Sequence, residues 1–207
     1  MNSVNQAKNV LIIKTSPAAE SSISNEIANY LSEQLTNKSI SYQVNVRDLA
    51  QHPAPQLNGQ MMQAFYTPEE HLSDEQQQLV APSLELITEL KAADIIVVAS
   101  AMHNFTITSL LKAYIDQVCR IGLTFQYTEQ GPQGLLMGKQ AVVISSAGMD
   151  FQQDFAKAMD FQTPYLERIL NFVGITDINY IPVQGVAMGD EIAAKAKSNA
   201  KIKINEL

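Results

Sequence analysis

The sequence has a single cysteine, Cys119, among 207 residues. This excludes an intrachain disulfide and fits a reducing compartment. Basic residues are also few. Lys and Arg number 14 against 21 Asp and Glu, for a formal net charge of -7 and a pI of about 4.9. Nucleic acid is therefore excluded as the main partner, because backbone phosphates require a basic face. No apolar run approaches the roughly 18 residues of a membrane span. The polar leader Met1–Lys8 and the short run Val10–Ile13 do not make a signal peptide. The expectation is a cytoplasmic protein with no membrane segment. Neither GxGxxG nor GxxxxGKS occurs, so the dinucleotide fingerprint and the Walker phosphate loop are missing. Of the three histidines, His52 and His71 have no Cys or carboxylate spacing that suggests a metal.

What is present suits a core-forming chain. Hydrophobic residues make up 46% and charged residues 17%, enough for one domain over residues 1–207. Val10 to Ile13 predicts a first buried strand within Asn9–Lys14. Ile27, Leu31 and Leu35 share one face of a helix over Ser24–Leu35. Tyr42, Val44 and Val46 alternate in a second strand, Ser41–Asp48. Gln51–Ser73 holds three prolines and much polarity, and reads as a long excursion of the kind that is functional or mobile. A helix over Asp74–Ala92 contains Pro82, which predicts a kink or a split. Strand Ile95–Ala99 precedes helix Thr108–Arg120. Gly131–Gly138 reads as a turn-rich loop, Gln140–Ser145 as a strand, Tyr165–Val173 as a helix, Thr176–Val183 as the last strand and Glu191–Ile204 as the last helix. The alternation predicts an α/β fold: a flavodoxin-like, doubly wound, five-stranded parallel sheet in the order 2-1-3-4-5, with helices on both faces.

In such sheets ligands sit at the carboxyl edge, so the turns that follow the strands matter most. The first, Thr15–Ser24, carries the hydroxyls Ser16, Ser22 and Ser24 and no Lys or Arg. With the open N–H groups of the following helix, these hydroxyls could hold a phosphate without point charges. Alternatively, Ser22 or Ser24 simply caps the helix. The second turn spans Ala101–Phe105 and the third Ser145–Met149. Alone, Asn104 and Phe105 read equally well as a turn former and a core residue.

The words Met102-His103-Asn104-Phe105, Leu111-Lys112-Ala113-Tyr114-Ile115-Asp116, Arg120-Ile121-Gly122 and Thr124-Phe125-Gln126-Tyr127 resemble the FMN-dependent NADH:azoreductases. These belong to the flavodoxin-like quinone reductases, and the resemblance runs along nearly the whole chain. It implies that Ser16, Ser22, Ile23 and Ser24 hold the FMN phosphate. It implies that Met102, His103, Asn104 and Phe105 meet the flavin ring, and that Ser146, Ala147, Gly148 and Met149 meet its pyrimidine end. The implied activity is ping-pong, two-electron hydride transfer through flavin N5, from NADH or NADPH to a quinone or azo acceptor. The implied assembly is a homodimer in which the Tyr127 and Phe172 regions of one subunit cover the flavin of the other.

Three positions depart from the family pattern. Ala101 stands where proline is usual, His103 where tyrosine is usual, and Met149 where a second glycine is common. His103 is the one candidate catalytic residue, since an imidazole there could supply a proton to the acceptor. Pocket shaping is the plainer role. Phe65, Tyr66, Phe125 and Tyr127 look exposed, and a monomer would leave them partly wet. Two other readings share the fold: a one-electron flavodoxin carrier and a flavin-free interaction domain.

Overall fold

The computed structural model describes residues 7–38 and 41–207; the start of the polar leader, through Gln6, lies outside them. Strand β1 (Lys8–Lys14) is followed by helix α1 (Ile23–Thr36) and strand β2 (Tyr42–Asp48). Helix α2 (Gly59–Tyr66) and helix α3 (Asp74–Ala92) then lead to β3 (Ile95–Ala101) and α4 (Ser109–Val118). Strands β4 (Phe125–Thr128) and β5 (Gly131–Gly134) precede β6 (Gln140–Ala147). Helices α5 (Asp154–Lys157) and α6 (Gln162–Phe172), strand β7 (Asp177–Gln184) and helix α7 (Asp190–Asn205) complete the chain.

The main sheet runs β2-β1-β3-β6-β7 with every pair parallel. Counting only its own strands, this is the predicted order. Alternation along each strand splits the core in two. Leu11, Ile13, Ile96, Val98, Ala141 and Val143 face α3, α4 and α6. Val10, Ile12, Val97, Ala99, Val142 and Ile144 face α1 and α7. The central strands are covered on both sides, which is why they read as unbroken apolar runs. Each fully buried Ile or Val contributes about 1.5–3 kcal/mol.

Three sequence expectations need correction. The Gln51–Ser73 excursion is not structureless. Asn58 caps α2 by accepting from the Met61 N–H at 2.9 Å, and Met61 and Ala64 are buried beneath it. Two buried residues in eight made too faint a period to read. Half of Gly131–Gly138 is strand, because β5 pairs antiparallel with β4. Helix α3 is not split at Pro82, and a reciprocal Ser73–Gln76 capping box starts it. The short α5 was not anticipated. Among the described residues no helix is long and apolar enough to cross a membrane.

Candidate functional site

Parallel pairing brings the ends of β1, β3 and β6 to one edge. Lys14 is level with Ala99, and Ala101 with Ser146. The chain passes from β1 outward to β2, then back across to β3. The edge between β1 and β3 is therefore the switch point where open α/β sheets bind ligands. All three predicted turns lie there.

The first turn is polar and buried at both ends, while Pro17–Ser21 between them are exposed and Ala19 has a positive φ of 47°. Thr15, Ser16, Ser22, Ser24 and Asn25 are all buried. Ser22 is the N-cap of α1: its Oγ accepts from the Asn25 N–H at 3.4 Å and lies 3.0 Å from Ser24 Oγ. The plain capping role is thus real, and Ser24 completes a hydroxyl pair at the start of a 14-residue helix. Ser16 Oγ accepts from the Ala18 N–H at 3.3 Å. The N–H groups of Ile23 and Ser24 meet no acceptor among the described residues, as expected of a helix start.

The second turn is exposed and strained. His103 N–H donates to Thr106 O at 2.8 Å and Thr106 N–H returns to His103 O at 3.1 Å. Asn104 and Phe105, between them, both have positive φ, 48° and 70°. Asparagine tolerates that region; phenylalanine rarely adopts it. A positive-φ Phe costs on the order of 1 kcal/mol and persists only where surroundings enforce it. Here Phe105 O accepts from the Phe161 N–H at 3.0 Å, and the Phe151 ring meets the Phe105 ring edge-on at 6.4 Å. The Phe105 ring remains 47% exposed, held out at the sheet edge.

The third turn is stitched to the second by Met102 N–H donating to Ser146 O at 2.7 Å. Ser146 and Ala147 are buried, whereas Gly148 and Met149 are open. Gly148 O and Met149 O accept from the Ala187 and Gly185 N–H groups, and the Gly148 and Met149 N–H groups themselves meet no acceptor among the described residues.

Several contributing residues escaped the sequence reading. Thr108, the N-cap of α4, donates to Thr15 O at 2.8 Å and so ties the first turn to the second. Buried Gln162, at the start of α6, donates to Ser100 Oγ at 2.9 Å. Both contacts join residues more than sixty positions apart, and no local pattern announces them. Phe151 and Phe161 were likewise missed.

Tyr127 and Phe172 are not at this edge in the same chain. They lie with the β4–β5 hairpin beyond the far ends of α4 and α6, where Phe172 packs on Phe125 at 4.5 Å. Ten residues of α4 span about 15 Å, which separates the Thr108 end from the Val118 end. There, Met62, Phe65, Tyr66, Arg120, Ile121 and Tyr127 line a groove of about 210 Å³. Tyr66 and Tyr127 are exposed, as expected, but Phe65 and Phe125 are half-buried. The Arg120 guanidinium lies over the Phe65 ring, 3.5 Å from its centroid. Burial pushes the nearby Cys119 thiol up to about 11, so it is no thiolate nucleophile near neutral pH.

The chain belongs to the family described as having a flavodoxin-like fold, whose model matches residues 8–207. Within that class it is 44% identical over 198 residues to an FMN-dependent NADH:quinone oxidoreductase of Shigella flexneri, covering 96% of this chain and 97% of that protein. A protein of the same description from Escherichia coli K12 is equally similar. Among solved structures, an FMN-dependent NADH-azoreductase from Bacillus anthracis in complex with FMN superposes with a TM-score of 0.85 at 26% identity, covering 96% of this chain and 98% of that one.

Proposed function

We propose that this protein is an FMN-dependent NADH:acceptor oxidoreductase that reduces quinones, and azo compounds less specifically. The observation that carries the reading is the convergence of a hydroxyl-lined helix start, an outward-held aromatic and a turn with open N–H groups at one switch point. The first turn fits a phosphomonoester: paired hydroxyls, open N–H groups and no competing cation. Ser16, Ser22, Ile23 and Ser24 are the residues we assign to it. Bound there, FMN would supply the two-electron redox chemistry, taking hydride from NADH and passing it to the acceptor in a ping-pong cycle. Asn104 offers its amide to the ring edge, and Met102, His103 and Phe105 form the wall. Ser146, Ala147, Gly148 and Met149 place backbone donors where negative charge gathers, which is the electrostatic help such chemistry needs.

The same reading takes the 207 residues as one flavin-binding domain in the cytoplasm, where its lone thiol stays reduced. It also takes the protein as a homodimer. Tyr127, about one α4 length from its own chain's turns, can cover only a partner's flavin. The exposed Tyr66 (73%) and Tyr127 (67%) are surface that a second copy would bury.

The visible spectrum of the purified protein, before and after anaerobic NADH, tests the core of this. A yellow protein bleached by NADH and reoxidised by a quinone is expected. A colourless protein that does not take up FMN, or a yellow one inert to NADH, sinks the reading. Light scattering at micromolar protein should give about twice the chain mass, and a monomer that turns over rules out the shared site.

A further inference from the structure

Between the two buried feet of the first turn stands an arch with no core of its own. Pro17–Ser21 are exposed, and the single 3-10 turn within them, Ala19–Ser21, buries no side chain. Hydrogen bonds alone shape this arch, and nearly all of them are internal. The Ala18 N–H donates to Ser16 Oγ at 3.3 Å and Ser21 Oγ to Ala18 O at 2.8 Å. The Ala19, Ser21 and Ser22 N–H groups donate to Ser16 O, Ala18 O and Ala19 O. Exposed bonds with no apolar burial beneath them open easily.

Among the described residues, one bond ties the arch to anything beyond Ser22. Asn25 Nδ2, on α1, donates to Ala19 O at 3.0 Å. Asn25 is 4% exposed, and its Oδ1 meets no donor among the described residues. A buried oxygen left that way is costly. Turning the amide over would set Oδ1 against Ala19 O, acceptor facing acceptor, so the amide serves the arch at the expense of its other end. Ala19 is the left-handed residue of the turn, with φ 47°, a conformation alanine rarely adopts unaided. Asn25 grips the arch at that residue.

The two feet are fixed by other means. Thr15 Oγ1 donates to Ala99 O at 2.9 Å and Thr108 Oγ1 to Thr15 O at 2.8 Å, which holds the Ser16 side. Ser22 and Ser24 belong to the start of α1. Loosening the arch would therefore leave the donors of both feet where they are.

We propose that Asn25 is a positioning residue that keeps the Pro17–Ser21 arch closed beside the phosphate of FMN, and so sets how slowly the cofactor leaves. It acts through Ala19 and not through contact with the flavin ring. The proposal rests on the flavin reading above, with the phosphate between Ser16 and Ser24, and adds the residue that governs release.

The test follows FMN association and dissociation by flavin fluorescence in the full-length chain and in variants of it. Asn25→Ala removes the tie. Asn25→Asp removes it and adds a buried negative charge to the phosphate turn. Ser21→Ala removes a bond internal to the arch. Dissociation from N25A should be about tenfold faster, the scale of one hydrogen bond. Its association rate and the visible spectrum of its bound flavin should not change, because the donors and the ring site stay in place. N25D should release FMN faster still, since like charges repel at close range. It should nonetheless fold, because an acid in the first turn suits a helix start. S21A should stay within about twofold of the parent, as surface substitutions do. Parent-like dissociation from both Asn25 variants, or an S21A effect as large as that of N25A, overturns the proposal while the flavin reading stands. Slower association or an altered flavin spectrum in N25A also overturns it, and makes Asn25 a general support of the fold. A parent chain that takes up no FMN overturns the flavin reading, and the proposal with it.

Discussion

The turn after β1 and the turn after β3 leave the same sheet edge from neighbouring strands, yet they differ in most physical respects. The first keeps its hydroxyls buried beneath an exposed Pro17–Ser21 stretch and is capped by its own Ser22, with Ser22 and Ser24 already 3.0 Å apart. The second stands in solvent on two consecutive left-handed residues. One pairs buried hydroxyls with open donors and has a single small left-handed residue, Ala19; the other holds a phenylalanine ring outward on two consecutive left-handed residues. An anion needs fixed donors in a dry place, whereas a ring system that exchanges partners needs an accessible apolar wall. The contrast suggests a division of labour: the first turn for affinity, the second for turnover.

Three changes would break or sharpen this contrast. The largest effect is expected from Ser22→Ala with Ser24→Ala. Hydrogen bonds to a charged group are worth about 1.5–3 kcal/mol each, so FMN should bind roughly a hundredfold or more weakly. Loss of the cap should also cost about 1 kcal/mol of stability. Equilibrium dialysis and thermal melts read the two separately, and undiminished FMN affinity in a folded double variant would remove the phosphate from this turn. Phe105→Gly should behave in the opposite sense. Glycine accepts positive φ without penalty, so the flavin-free protein should melt no lower, while acceptor reduction falls several-fold for want of the ring. A clear drop in Tm would show that Phe105 is there for packing. The smallest effect is expected from His103→Tyr, which should alter acceptor preference within a few-fold at unchanged flavin content. Loss of a pH-dependent limb of acceptor reduction in that variant would instead give His103 the proton-donating role.

What could be read in the sequence was local. Val10–Ile13 and Ile95–Val98 announce doubly covered strands in a few letters. The three turns follow directly, because parallel strands end at one edge. The serines of the first turn were legible because a helix start has known needs. The Thr108–Thr15 and Gln162–Ser100 bonds were not, since each depends on where a distant strand happens to end. Helix α2 was hidden because only Met61 and Ala64 turn inward. The positive φ at Phe105 could not be foreseen either: nothing in a phenylalanine suggests a left-handed turn, and the hold of Phe161 on its carbonyl comes from 56 residues away.

Helix α4 has one further consequence. Its Thr108 end braces the turns at the sheet edge, while its Val118 end faces the groove of Tyr66 and Tyr127. In a two-chain enzyme each site therefore draws on opposite ends of the same helix from two different molecules. That predicts complementation between inactive chains. At FMN concentrations too low to load the double-serine variant, Ser22→Ala/Ser24→Ala chains and Tyr127→Lys chains, each inactive alone, should regain activity on mixing and exchange. A mixed dimer holds one site with both defects and one with neither. Random pairing makes half the dimers mixed, so recovery should approach about a quarter of the normal rate.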